Sequence, residues 1–369
     1  MAEAHLSGAI LDIDLAALVR NWRRFAQMGT AAACVKADAY GLGAVPVAKA
    51  LWQAGCRSFF VAFPEEGMKL RAALPKDAEI FILMGLLPGC AAEYEAHRLT
   101  PILAQGAELA EWRAHCAKVA QKLPAGVHFD TGIHRLGFSE AELRKIAPEA
   151  FADFNLTLVM SHLANADAPQ DEMNKQQLAR FHELRSLLPA CRSSLANSPG
   201  GLIGPEFALD LVRPGLGLYG ASPQGLENHD FEIVARLKAP VLQVSDVAAG
   251  ERIGYSGSYQ TTKAQRIGVI GAGYADGFSR ALSSGPEGPR ARVMFADGPA
   301  PVVGRVSMDM ITIDLTHLPQ VVRGTMAELM GEAIRVEEIA RLSGTIAYEV
   351  LTRLGSRYAR VYSNGDSTS

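Results

Sequence analysis

The stretch Val35-Lys36-Ala37-Asp38-Ala39-Tyr40-Gly41-Leu42-Gly43 is the part of this sequence that decides the fold. The apolar run before it, residues 31–35, predicts a short buried strand, and residues 44–54 after it predict a helix that Gly55 ends. Lys36 therefore stands at the carboxyl end of a strand. In an α/β barrel the reacting groups gather at that end, and a lysine there can form a Schiff base with a carbonyl compound. A solvated lysine at a strand edge is the alternative interpretation.

Strands and helices alternate over the first two thirds of the chain. Asp14 is suited to cap an opening amphipathic helix, and residues 65–74 and 171–188 have helical spacing of apolar residues. The predicted strands are residues 31–35, 58–63, 79–84, 100–103, 126–130, 157–161, 193–196 and a last one near 209–212. Eight strands separated by helices predict an α/β fold, an N-terminal (β/α)8 TIM-type barrel over residues 1–237.

The pattern changes near residue 238 to short alternating runs separated by turn residues. Asp297-Gly298 between such runs is a strong hairpin signal, and residues 336–342 predict a short helix ended by Gly344. Residues 238–369 are therefore expected to form a mostly-β C-terminal domain.

Composition and charge indicate a globular protein that acts on small molecules. The chain has 369 residues, 49% of them hydrophobic, with a formal net charge of -3 and no Lys/Arg tract, so no nucleic acid and no membrane is expected as a partner. The N-terminus lacks the basic segment of a signal peptide, and the five cysteines are an odd number with no Cys-x-x-Cys pair. Both features predict a cytoplasmic location, with the cysteines as small core residues.

Further polar residues follow the later barrel strands and would meet Lys36 at one rim. The loops after strands seven and eight commonly bind phosphate in such barrels, and here they offer the Ser198 hydroxyl and the backbone amides near Gly215 and Leu216. Each feature has an ordinary alternative: a turn at residues 198–201, a core histidine at His162 or a surface ion pair at Arg213. Their joint occurrence favours a site.

Together these segments resemble the alanine racemase family. The resemblance covers most of the chain, with the motifs in the family's order. Besides the lysine segment, the motifs are Asp130-Thr131-Gly132-Ile133-His134-Arg135-Leu136-Gly137, Ser161-His162-Leu163-Ala164, Ala196-Asn197-Ser198, Val212-Arg213-Pro214-Gly215, Gly254-Tyr255-Ser256, Gly273-Tyr274-Ala275-Asp276-Gly277, Ser307-Met308-Asp309 and Tyr348-Glu349.

The resemblance implies a pyridoxal 5'-phosphate enzyme that interconverts L-alanine and D-alanine, for cell-wall peptidoglycan or for D-alanine breakdown. The cofactor would form an aldimine with Lys36, and Arg213, which stays cationic, would face its pyridine nitrogen. The other cofactor-binding residues implied are Tyr40, His162, Asn197, Ser198, Gly215, Leu216 and Tyr348. No metal is expected.

Racemisation needs one acid/base group on each face of the substrate Cα. The resemblance assigns these roles to Lys36 and Tyr255, with Tyr255 reaching the lysine of the other subunit in a head-to-tail homodimer. Substrate contacts are implied for Arg135, Met308, Tyr274 and Asp309.

His128 departs from the family pattern, which commonly has a carbamylated lysine there that orients the arginine. A histidine cannot provide that carbamate, so the strictness of alanine selection is open, and serine is an alternative substrate. Leu42 stands where many members have histidine, a difference expected to be minor. A pyridoxal-phosphate decarboxylase is one alternative, but such enzymes usually present a carboxylate to the pyridine nitrogen, and Arg213 argues against it. A pyridoxal-phosphate carrier protein is another, but it would lack the β domain, and the Tyr255 motif argues against it.

Overall fold

The first half of the chain forms a parallel barrel. The computed structural model describes residues 8–146, 148–223, 231–285 and 287–364. After strand β1 (Ile10–Asp14), seven parallel strands pair in sequence order. They are β2 (Ala33–Cys34), β3 (Ser58–Val61), β4 (Glu79–Ile82), β5 (Thr100–Leu103), β6 (Pro124–His128), β7 (Asn155–Met160) and β8 (Arg192–Ser194).

The eighth barrel position is an extended segment and not a regular strand, contrary to the strand predicted near 209–212. The Ala32 amide donates to the Val212 carbonyl at 2.9 Å, and the Arg213 amide donates to the Ala196 carbonyl at 2.9 Å. These bonds join β2 to β8 through one segment and close the barrel. Leu209 has a φ of 49°, a left-handed conformation that interrupts regular pairing at the start of the segment.

Helices cover the outside of the barrel. Asp14 caps the first of them, as predicted, because its side chain accepts from the Ala17 amide at 2.9 Å. The helices before residue 223 are Leu15–Ala26, Ala44–Gln53, Pro64–Ala73, Ala91–Ala96, Gly106–Val119, Glu140–Leu143, Glu172–Arg185, Ser198–Gly201 and Pro205–Ala208. The fold class, a TIM-type barrel followed by a mostly-β domain, is confirmed.

The second unit contains an eight-stranded sheet, which also includes a strand from the start of the chain, and a separate two-stranded sheet. Strand β1 pairs in parallel with the last strand and antiparallel with the first strand of the C-terminal unit. The strands after residue 231 are β9 (Ala235–Val247), β10 (Arg252–Ile253), β11 (Tyr259–Gln260), β12 (Gln265–Ile270), β13 (Arg292–Phe295), β14 (Gly298–Pro301), β15 (Ile311–Asp314), β16 (Met326–Met330) and β17 (Ala359–Ser363), with helices Val336–Ser343 and Ala347–Thr352. The boundary near residue 237 stays a proposal.

The predicted hairpin is present, but its turn lies one residue earlier than the Asp297-Gly298 dipeptide indicates. Strands β13 and β14 pair with Phe295 opposite Gly298, so Ala296 and Asp297 form the two-residue turn. One contiguous hydrophobic core contains residues of both units, among them Phe25 and Val293. Within the described part of the chain no helix is long and apolar enough to cross a membrane.

Candidate active site at the carboxyl rim of the barrel

A cavity of about 1330 Å³ opens at the carboxyl ends of the barrel strands. It brings together most of the site residues that the sequence predicts, although their individual roles stay predictions. Those lining it are Lys36, Tyr40, Arg135, His162, Asn197, Ser198, Arg213, Gly215, Leu216 and Tyr348.

Lys36 is followed by a turn of left-handed helix, which the sequence does not predict. Ala37, Asp38 and Ala39 have φ of 52°, 52° and 53° with ψ of 49°, 48° and 50°, and Tyr40 has a φ of 56°. A left-handed conformation costs a non-glycine residue about 1–2 kcal/mol, so four in a row cost on the order of 4–8 kcal/mol. Glu66 offsets part of this cost, because its Oε1 accepts from the Ala37 amide at 2.6 Å.

An anion cradle lies where the Ser198 and Gly215 loops meet Tyr40. The Ser198 Oγ accepts from the Gly215 amide at 2.8 Å and from the Gly217 amide at 3.2 Å, which leaves its proton free to donate. A Cβ on Gly215 would lie 2.5 Å from the Tyr40 Oη, so only glycine lets this hydroxyl approach. Asn197 holds the loop, since its Oδ1 accepts from the Gly200 amide at 2.9 Å.

Aromatic rings fix the position of the Tyr40 hydroxyl. The ring centroid of Tyr40 lies 4.7 Å from that of Tyr219 and 5.9 Å from that of Tyr348. Burial raises the pKa of Tyr40 well above 10 and the pKa of Tyr348 to about 12. Both hydroxyls therefore keep their protons at neutral pH. Two hydroxyl donors and the backbone amides match the oxygens of a phosphate group.

Arg213 is a buried cation with no salt bridge to any described residue. Its Nη2 donates to the Ser161 carbonyl at 2.7 Å and to the Leu195 carbonyl at 3.3 Å, and its Nη1 donates to the Ser194 Oγ. Burial lowers its pKa to about 10, which still leaves it charged at neutral pH. Because no carboxylate neutralises this guanidinium, it favours a planar hydrogen-bond acceptor in the cavity and disfavours a second cation.

His162 beside Arg213 is a neutral imidazole. Burial, followed by the charges of Arg213 and Arg135, holds its pKa well below 6.5. Its Nδ1 lies 3.4 Å from the Arg213 Nη2, and an arginine only donates, so we assign the His162 proton to Nε2. The site therefore has a flat uncharged ring next to a fixed cation.

His128 is a second neutral histidine, and its Nε2 is buried without a hydrogen-bond partner among the described residues. Burial first, and then Arg213 and Arg135, lower its pKa to about 4. Arg135 is exposed at the cavity and has no hydrogen bond or ion pair with the rest of the described chain. Nothing within the described residues therefore fixes the direction of Arg135.

Four predicted residues of the β domain, Tyr255, Tyr274, Met308 and Asp309, do not line this cavity, whereas Tyr348 of the same domain does. Tyr255, Tyr274 and Met308 are exposed by 69%, 42% and 53%. Asp309 forms an ion pair with Arg357 at 2.7 Å. Their roles stay predictions, and a contribution to this cavity would have to come from another copy of the chain.

Several residues that shape the site escaped the sequence analysis. The Glu66 carboxylate accepts from the Ala62 and Phe63 amides at the start of helix Pro64–Ala73, but Phe63 has no side-chain acceptor, so the sequence shows no capping-box signal there. Tyr219 donates its hydroxyl to the Cys34 carbonyl at 2.8 Å, and Arg360 and Tyr362 reach the lysine turn from strand β17. These three contacts span 185 residues or more of chain, so no local pattern indicates them.

Two family models match the two units of the chain. The model described as alanine racemase, N-terminal domain, matches residues 13–223, and the alanine racemase C-terminal domain matches residues 234–362. The alanine racemase of Methylobacterium nodulans is 42% identical over 98% of this chain and 98% of its own. The alanine racemase of Brucella abortus is 42% identical over 98% of this chain and 96% of its own.

Solved structures agree with this. The crystal structure of alanine racemase from Bartonella henselae with covalently bound pyridoxal phosphate superposes with a TM-score of 0.92 at 38% identity, covering 96% of this chain and 99% of that one. Alanine racemase from Streptomyces coelicolor gives a TM-score of 0.91 at 33% identity, covering 99% of this chain and 100% of that one.

Proposed function

Because this chain belongs to the alanine racemase family, we propose that it is a pyridoxal 5'-phosphate enzyme that interconverts L-alanine and D-alanine. The observation that carries the proposal is the cavity in which Lys36, the Ser198–Gly215 cradle and the unneutralised Arg213 converge. These groups match the aldehyde, the phosphate and the pyridine nitrogen of that cofactor in turn.

The described residues fit the cofactor, with the Gly215 amide exchanging its Ser198 acceptor for a phosphate oxygen. Tyr40, Ser198, Tyr348 and the Gly215 and Leu216 amides would hold the phosphate, because the hydroxyls carry free protons and Gly215 leaves room for close approach. His162 would lie against the ring as a neutral imidazole. Asn197 would act through the Gly200 amide that it holds.

When bound, the cofactor withdraws electrons from the substrate Cα and makes its proton removable. Arg213 would donate to the pyridine nitrogen and cannot protonate it, which limits the charge that the ring accepts. The Lys36 amine would take or return the Cα proton on one face. Tyr255 would do so on the other face, so inversion follows from two opposed proton carriers.

We propose that Tyr255 reaches this cavity from a second copy, in a head-to-tail homodimer. In support, Tyr255, Tyr274 and Met308 are exposed, large and absent from the cavity of their own chain. Met308 and Tyr274 would border the substrate, Arg135 would contact its carboxylate, and Asp309 would act through its ion pair with Arg357.

Co-expression of two inactive variants tests the dimer. Lys36→Ala and Tyr255→Phe each disable every composite site when alone. A mixed dimer contains one intact site, and random mixing should restore about one quarter of the wild-type rate. No recovery in purified mixed dimers would place both residues in the site of one chain and refute the arrangement.

The activity is tested by proton NMR of L-alanine, L-serine and L-lysine as separate samples in heavy water with added cofactor. Loss of the Cα proton signal, with D-alanine on chiral analysis, is the expected result, with serine slower because a pocket discriminates one small group by only about 1–3 kcal/mol. Lys36→Ala should abolish the exchange, whereas Lys49→Ala, an exposed lysine on the next helix, should not. A cofactor-loaded protein that exchanges no sample would overturn the proposal.

A decarboxylase is disfavoured because Arg213 has no carboxylate partner among the described residues and so no acid faces the predicted pyridine position. We also propose a cytoplasmic location. Five free cysteines, three of them buried, support it. Cell fractionation with an antibody to the chain would test this.

A further inference from the structure

The last strand of the β domain contacts the turn that carries Lys36. Arg360 in β17 donates to the Gly41 carbonyl through Nε at 3.1 Å and through Nη2 at 2.8 Å. The same guanidinium donates to the Gly355 carbonyl at 3.1 Å and to the Leu354 carbonyl at 3.2 Å. One side chain therefore ties the end of the lysine turn to the loop before β17.

Tyr362, two residues further along β17, makes the next contact. Its Oη donates to the Leu42 carbonyl at 3.0 Å. Burial raises the pKa of Tyr362, so the hydroxyl keeps the proton that this bond needs. A Cβ on Gly43 would collide with the same hydroxyl, which shows how closely the two chain segments approach.

The position of β17 is itself fixed. It pairs in parallel with β1 over five residues, from Ile10 opposite Ala359 to Asp14 opposite Ser363. Strand β1 runs directly into helix Leu15–Ala26, which packs on the barrel. Arg360 and Tyr362 thus extend from a strand whose register is set by the rest of the molecule.

The turn needs external support because its own conformation is unfavourable. Four consecutive non-glycine residues, 37–40, are left-handed. Such strain persists only where the surrounding structure over-determines the backbone. At the start of the turn Glu66 holds the Ala37 amide, and at its end the carbonyls of Gly41 and Leu42 are held from β17.

We propose that Arg360 and Tyr362 are positioning residues that hold the left-handed turn and thereby place Lys36 and Tyr40 for covalent attachment and phosphate binding of the cofactor. The proposal rests on the proposed function for its chemistry. It assigns to the C-terminal strand a role in the cofactor site of its own chain, separate from any contribution of the β domain to another copy.

The decisive variant is Tyr362→Phe, which removes one hydroxyl from a half-buried ring. Tyr358→Phe is a matched control, because the Tyr358 hydroxyl is buried and has no hydrogen-bond partner among the described residues. Loss of one hydrogen bond corresponds to about a fivefold change in an equilibrium constant. We expect Tyr362→Phe to raise the pyridoxal-phosphate dissociation constant by about that factor and to slow covalent attachment followed by visible absorbance, while Tyr358→Phe changes neither.

Backbone deuterium exchange of the full-length, cofactor-free protein gives a readout that does not depend on activity. Peptides covering residues 37–43 should exchange faster in Tyr362→Phe than in Tyr358→Phe, with no difference in peptides of the far side of the barrel. Arg360→Lys, which keeps the charge and loses the paired donors, should give a similar effect. If Arg360→Lys does not fold, Tyr362→Phe alone decides.

The outcomes separate the two proposals. Equal exchange and equal cofactor affinity in Tyr362→Phe and Tyr358→Phe would overturn the positioning role, even if the wild type racemises alanine. A wild type that binds the cofactor but exchanges no Cα proton would overturn the proposed function. In that case the deuterium exchange of the turn and the cofactor affinity, compared between Tyr362→Phe and Tyr358→Phe, would still test the positioning role.

Discussion

Substitution of Gly215 by alanine isolates the close approach between the cofactor cradle and Tyr40. The new Cβ would lie 2.5 Å from the Tyr40 Oη and 3.2 Å from its Cζ. The φ of Gly215 is -129°, outside the left-handed region, so the steric conflict with Tyr40 is the main expected cost of the substitution. Tyr40 lies between Tyr219 and Tyr348 and cannot swing away freely.

Two magnitudes follow from this geometry. Over-packing of a filled site costs about 1–3 kcal/mol, so the unfolding transition of the cofactor-free protein should move to lower denaturant concentration. Displacement of the Tyr40 hydroxyl would also remove a hydrogen bond to a charged phosphate, worth about 1.5–3 kcal/mol. The dissociation constant for pyridoxal phosphate should therefore rise by about 10- to 100-fold.

The assay is a cofactor titration followed by absorbance, combined with a double-mutant cycle. Gly106→Ala is the control, since a Cβ there meets nothing within 4 Å. Tyr40→Phe removes the Tyr40 Oη, which is the atom nearest to the new Cβ. This substitution should therefore lower the affinity for pyridoxal phosphate less in the Gly215→Ala variant than in the wild type. If Gly215→Ala binds the cofactor as tightly as Gly106→Ala, the close approach of Gly215 to Tyr40 does not contribute to cofactor binding.

Three further predictions concern other parts of the chain. Glu79→Ala removes an acceptor for Ser58 and for Arg192 at the amino ends of the barrel strands, and should lower the free energy of unfolding by about 1–2 kcal/mol in denaturant titrations while leaving the rate of racemisation unchanged. The pKa of His128 is lowered from 6.5 to about 4, so as pH falls the unfolded state takes up this proton before the folded state does. The free energy of unfolding should therefore fall by about 3 kcal/mol between pH 6.5 and pH 4. His128→Gln should flatten this part of the stability profile, and an unchanged slope would contradict the assignment. Arg357→Leu breaks the ion pairs with Asp276 and Asp309 and should reduce kcat/KM a few-fold with cofactor affinity retained, because the loops that it joins carry Tyr274 and Met308 and lie outside the cavity.

Local sequence signals predict the elements around the site well. Asp14 caps its helix, strand 100–103 has the predicted bounds, and Lys36 follows a strand, because caps, apolar runs and glycine stops depend on neighbouring residues only. The polar residues that follow later strands also converge at one rim, since parallel strands in a barrel bring all their carboxyl ends together.

What the sequence does not predict depends on distant contacts. Nothing in Ala37-Asp38-Ala39-Tyr40 favours a left-handed turn, and local preference opposes it. The support comes from Glu66 and from Arg360 and Tyr362, the latter two over 300 residues away in sequence. Strand β1 likewise joins a sheet whose other strands begin at Ala235, a pairing that alternation of apolar residues cannot specify.

The charge state of the site follows from one arrangement: a buried arginine with two neutral histidines near it. Burial first, and then the charge of Arg213, lowers the pKa of both His128 and His162, so adding their protons would put further positive charge beside a cation that already lacks a carboxylate partner among the described residues. The cofactor-free site therefore carries an uncompensated cost that an anionic, planar ligand relieves. Because such a ligand binds the folded state only, its concentration raises the stability of the whole chain.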